Sequence, residues 1–256
     1  MRVSARCKLL LGGAVFVALL SGCPAPAPRA PPPPAPPLVP AAPAPHIGTP
    51  YVIVPQASLL TILVYRGGAL ASAGHNHVIA SHELSGTIYV PSVLLESSFE
   101  VHVPVATLTV DEAALRAGQP AADFPADVSE SAREGTRRNM LGEALLDAQR
   151  YPEIVLRSLR LAAADGASAA GSGTVQAQLQ SSVRGELRTF TVPVRYRLAA
   201  DGSLDLAGEF PLRQSELGLT PFSAMLGALQ VQDEMRVSFH IVAHAAAVNA
   251  APAGKP

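Results

Sequence analysis

Between residues 51 and 245 the apolar side chains recur at every second position over segment after segment, and that period belongs to β-strands. Leu60, Ile62 and Val64 share one face of the first strong strand. Phe99, Val101 and Val103 do the same across 98–105, with Glu100 and His102 on the other side. In 235–244, Met235, Val237, Phe239 and Ile241 alternate with Arg236, Ser238 and His240. Further strands are predicted over 82–90, 154–161, 174–180, 189–198 and 203–213. Turn residues separate them: Gly67-Gly68, Asp165-Gly166, Gly171-Ser172-Gly173 and Asp201-Gly202. About eight strands so spaced imply an all-β fold, an antiparallel barrel or sandwich.

Two segments break the pattern. Residues 129–148 are rich in helix formers, with Met140, Leu141, Ala144 and Leu145 as a short apolar face and Ser129 or Ser131 as cap. Tyr151-Pro152 then returns the chain to a strand. A second short helix is predicted over 221–229, behind Thr220. A helix near a barrel end closes the core or lids a cavity.

The amino terminus reads as an export signal. Arg2, Arg6 and Lys8 precede an apolar run over 9–20, too short for a bilayer core of about 30 Å. Leu20-Ser21-Gly22-Cys23 resembles the bacterial lipobox, so residues 1–22 are expected to be removed and Cys23 to carry lipid. The other cysteine, Cys7, lies in the signal, which leaves the 51–245 domain without disulfide, thiolate metal site or cysteine nucleophile. Residues 23–50 hold 13 of the 24 prolines and read as a polyproline spacer reaching at most about 80 Å. Residues 246–256 read as a frayed tail. A chain starting at Cys23 carries 16 Lys+Arg against 20 Asp+Glu, a net charge of −4, which argues against nucleic-acid binding. The expected location is the bacterial envelope, lipid-anchored, with the outer membrane facing the periplasm favoured because Pro24 is not the aspartate that marks inner-membrane retention.

Chemistry-bearing motifs are few. His75 and His77, with His82 five residues on, are candidate imidazole ligands for a metal. No carboxylate lies between them, and an extended backbone is expected to send the first two rings to opposite sides. A role at a ligand's polar end is the preferred reading. There is no GxSxG elbow, P-loop or dinucleotide fingerprint, and no Asp–His–Ser set is singled out. Asp111-Glu112 and Asp233-Glu234 read as solvated turn charges. Arg133, Arg137 and Arg138 are expected to pair locally with Glu130 and Glu134, each pair worth under about 1 kcal/mol.

Three motifs in order resemble the YceI-like family of lipocalin-like proteins: LSGTI over 84–88, LDAQRYPEIVLRS over 146–158 and RQSELGL over 213–219. They are similar to that family's F-S-G-x-I strand, YP-x-I turn with its following strand, and R-S-D-F-G segment. The last alternating strand completes the order. This chain departs at Ala57-Ser58, where the family has H-S, at Arg66 in place of a histidine, in the GHNHVI stretch, and at Glu216 and Leu217.

The resemblance implies an extended antiparallel lipocalin-like barrel around an apolar tunnel that holds an isoprenoid-like lipid, a quinone or polyprenyl chain. It implies no other cofactor and no enzyme activity; the oligomeric state is left open, a dimer included. The inward set that would line such a tunnel is Leu60, Ile62, Val64, Leu84, Phe99, Val101, Val103, Ile154, Leu156, Phe190, Val192, Val194, Phe210, Val237, Phe239 and Ile241. The alternatives are a metal-binding protein or enzyme centred on His75, His77 and His82, and a structural envelope protein whose core is filled.

Overall fold

The structure is a computed structural model that describes residues 46–164 and 171–246. The expected signal, Cys23 and most of the 23–50 spacer lie outside those residues, as does the tail from 247 onward.

Among the described residues the strands are β1 (Thr49–Ile53), β2 (Leu59–Gly67), β3 (His77–Ser81), β4 (Ser85–Val90), β5 (Ser98–Pro104), β6 (Thr109–Val110), β7 (Glu153–Ala163), β8 (Ser172–Val183), β9 (Glu186–Leu198), β10 (Ser203–Arg213), β11 (Ser223–Ala224) and β12 (Leu229–Ala245). Three pairs of short strands act as bent staves: β1 with β2, β3 with β4, and β5 with β6. Counted this way, eight antiparallel staves follow one another around a ring. The long β12 closes it. One edge pairs with β10 from Ser203↔His244 to Arg213↔Glu234, and the other pairs with β2 and then β1. The expected antiparallel barrel is therefore present.

The bends have local causes. The first stave breaks at the 3-10 turn Pro55–Ala57, where Pro55 has no N–H to give to a ladder. Ser58 bridges the gap, its hydroxyl donating to the Val54 carbonyl at 2.8 Å and accepting from the Val242 amide at 3.1 Å. In the second stave Gly86 sits at φ 136°, and a Cβ there would run into the Glu100 carbonyl. The glycine of the LSGTI motif is thus a steric requirement of β4 pairing with β5.

Among the described residues two α-helices lie outside the ladder, α1 (Ala113–Ala117) and α2 (Glu130–Leu141). The first has no counterpart in the sequence reading. The second falls within the predicted 129–148, with the Ser129 hydroxyl accepting from the Ala132 amide at 3.3 Å. It stops at Leu141 because the chain folds back on it, Leu146 N donating to Met140 O and Ala148 N to Leu141 O. The helix predicted over 221–229 is corrected. That stretch pairs with the start of β12 through Ser223↔Gln230 and Ala224↔Leu229, which takes the backbone groups a helix would use. It then turns through Met225–Gly227, a 3-10 turn.

Candidate functional site

The barrel encloses a cavity of about 600 Å³, within the range that small-molecule sites occupy. Every residue of the inward set named above lines it, from Leu60 and Phe99 to Phe239 and Ile241. Alternation explains this, since residues two apart on a strand face the same way. The sequence reading missed Ile79, Ile88, Leu179, Leu206, Leu212 and Met235, which also line the wall. Ile88, Leu179, Leu206, Leu212 and Met235 sat on predicted strands with the same period and were readable there.

One end is closed and the other open. Ile53, Leu204 and Ala243 are buried in the core beyond the lining residues and shut the end where β1 begins. The exposed lining residues are Arg66, Ala73, His75, Asn139 and Gln230. Gln230 pairs with Gly67 beside Arg66, so most of this group gathers where β2 ends and β12 starts, and this is the mouth. Helix α2 borders it, presenting Ala132, Gly135, Thr136, Asn139 and Met140 to the cavity. Those positions follow the three-and-four spacing of a single helix face.

A buried polar chain ties the mouth together. The His77 imidazole donates through Nδ1 to Asp111 Oδ2 at 2.6 Å, and the Thr136 hydroxyl lies 3.1 Å from His77 Nε2. Asp111 Oδ1 accepts from the Val78 amide at 2.9 Å and from Arg116 at 2.7 Å. Arg116 also donates to the carbonyls of Asn76 and Pro125, both at 2.8 Å. Burial raises the Asp111 pKa, but the hydrogen bonds from His77 and Val78 and the charges of His77 and Arg116 outweigh it, and the net shift is downward. The carboxylate is therefore ionised at neutral pH and holds β3, β6, α1 and α2 in one arrangement.

Several sequence readings change here. Asp111 is not a solvated turn charge; its side chain is fully buried, and its partners come from β3 and α1. Glu112 does face outward, where it pairs with His82 at 3.1 Å. His75, His77 and His82 do not converge on a metal. His77 is held by Asp111 and His82 by Glu112 on the outside, and among the described residues no group of three potential ligands forms a site. The expected separation of His75 and His77 was wrong on its own terms, because residues two apart on an extended chain share a face. Both line the mouth, with ring centroids 6.1 Å apart. Partial burial and the positive charges of His77, Arg116 and Arg66 lower the His75 pKa, which keeps its ring neutral near pH 7. Of the helix arginines, Arg133 pairs with Glu130 and Arg138 with Glu134, but Arg137 instead donates to the carbonyls of Ala106 and Leu108.

Deeper inside, the Ser181 hydroxyl lines the cavity with no hydrogen-bond partner among the described residues.

A family model, the YceI-like domain, matches residues 51–243. The chain belongs to the YceI-like family. Among solved structures, this YceI-like chain is similar to BcnA of Burkholderia cenocepacia at 16% identity and a TM-score of 0.52, over 74% of this chain and 98% of that one. It is also similar to a polyisoprenoid-binding domain from Saccharophagus degradans, implicated in plant cell wall breakdown, at 10% identity and a TM-score of 0.49, over 77% and 98%. A search among curated proteins finds no match.

Proposed function

We propose that this protein is a non-catalytic carrier of an amphipathic isoprenoid-like lipid, a quinone or polyprenyl chain, held inside the barrel. The observation that carries the reading is the apolar cavity with one polar mouth. A ligand with an apolar tail and a single polar end has that same division. Each CH₂ buried in such a wall contributes about 0.8 kcal/mol, so a tail of a few prenyl units binds by burial alone. At the mouth, neutral His75 together with Thr136 and Asn139 would meet the polar end. Membership of the YceI-like family supports the ligand class. The protein is tethered through a lipid on Cys23, with residues 1–22 removed, and works in the bacterial envelope from the outer membrane, facing the periplasm.

The test is displacement of a fluorescent polyene from the purified protein by prenyl alcohols and quinones of increasing chain length. Affinity should rise with each added prenyl unit. An affinity independent of tail length would contradict burial in the tunnel.

One observation favours a second reading. Asp111, His77 and Thr136 stand in the acid–base–hydroxyl order used for acyl transfer. Ester turnover that disappears in Thr136→Val would support hydrolysis; cargo binding by the wild type without turnover in either protein supports the carrier.

A further inference from the structure

Two loops overhang the mouth, one through 68–76 and the other through 218–228. They are bonded to each other, Leu70 N donating to Ala228 O at 2.7 Å. Gly68, at φ 86°, lies so close that a Cβ would run into the Ala228 carbonyl. Neither loop carries charge. Asp, Glu, Lys and Arg are absent from 67–81 and from 217–232, in a chain where they form 15% of residues.

Three large apolar side chains project from these loops into solvent: Leu226 at 108% relative exposure, Met225 at 68% and Leu70 at 40%. Met225 and Leu226 are held out by left-handed backbone, φ 51° and 57°, which residues other than glycine seldom adopt. Single exposed leucines are ordinary. Three apolar side chains on two uncharged, mutually bonded loops beside the opening of an apolar cavity form an interaction surface.

We propose that this tip docks on a lipid bilayer, setting Leu226 and Met225 into the boundary between headgroups and acyl chains so that lipid enters the mouth without crossing water. Exposed Arg66, on the rim beside the same loops, is placed to meet lipid phosphate. The chain outside the barrel permits this orientation. It enters at Thr49, which pairs with Val90 at the end away from the mouth. The 25 residues between Cys23 and Thr49 would span at most about 85 Å at full extension, more than the length of β12, whose 17 residues span about 56 Å. The mouth can therefore turn back to the membrane that holds the tether.

The proposal rests on the carrier reading for its purpose but is tested separately. The chain has no tryptophan, so Leu226→Trp in the full-length protein is a unique probe. With vesicles of phosphatidylcholine and phosphatidylglycerol, its emission should shift to the blue and be quenched by brominated acyl chains. Val93→Trp, exposed in the β4–β5 connection at the other end, should keep a solvent-exposed spectrum. A Leu226→Trp spectrum indifferent to vesicles would overturn the proposal. So would a blue shift without vesicles that grows with protein concentration, since a second copy would then cover the tip. Lipid extraction from the same samples separates the two readings: docking without cargo removes the carrier and leaves the tip, and cargo without docking does the reverse.

Discussion

Enlarging a side chain inside the barrel should cost little stability and much affinity. Val101, midway along β5, is buried, lines the cavity and pairs with Leu156 of β7. Val101→Phe adds four carbons. In a solid core such overpacking costs about 1–3 kcal/mol. Here the ring points into about 600 Å³ of open space, and the loss in unfolding free energy should stay below about 1 kcal/mol. The same four carbons take the place of roughly four carbons of ligand, about 3 kcal/mol at about 0.8 kcal/mol each. That corresponds to about a hundredfold weaker binding. Urea unfolding of the ligand-free protein and titration with a long-chain prenyl alcohol measure the two quantities. A variant that unfolds far more easily while binding no worse would refute the reasoning, because it would mean that the interior is filled.

Asp111→Ala leaves Arg116 and His77 buried without their carboxylate, and breaking a buried pair from one side costs about 3–5 kcal/mol. Thermal unfolding at pH 7 should show a large drop. Because the folded-state pKa of Asp111 lies below the ordinary 3.8, its contribution is complete above that value and is lost as pH falls through the folded pKa. The gap between wild type and variant should thus narrow only in strong acid; a gap that closes between pH 7 and pH 5 would contradict the assignment. Leu226→Gly relieves a left-handed leucine that costs on the order of 1 kcal/mol. Calorimetry should find the variant slightly more stable, with cargo retained and vesicle contact reduced; lower stability would mean that the Leu226 side chain packs in the fold.

The ring of staves was legible because each strand has one wet face and one dry face. Period-two alternation records that directly at Leu60, Ile62 and Val64, and again from Met235 to Ile241. Hollowness was not legible, since a filled core and a tunnel demand the same apolar set. The mouth was hardest to read. Asp111 looks like half of a solvated turn pair until His77 and Val78, more than thirty residues earlier, and Arg116 from the next helix close around it. The apolar stretch around Met225 and Leu226 reads as helix by composition, yet pairing with β12 forces it into an exposed turn. In both places the deciding partners are distant in sequence, and local propensity carries no trace of them.

The central claim is that the cavity holds a lipid. Native mass spectrometry of the full chain, purified gently from the cells that make it, tests it most directly. The account predicts an added mass that matches an isoprenoid-like lipid, is released by organic extraction and is largely missing from Val101→Phe. A protein that stays at its bare mass, and gains none after incubation with prenyl alcohols or quinones, would contradict it.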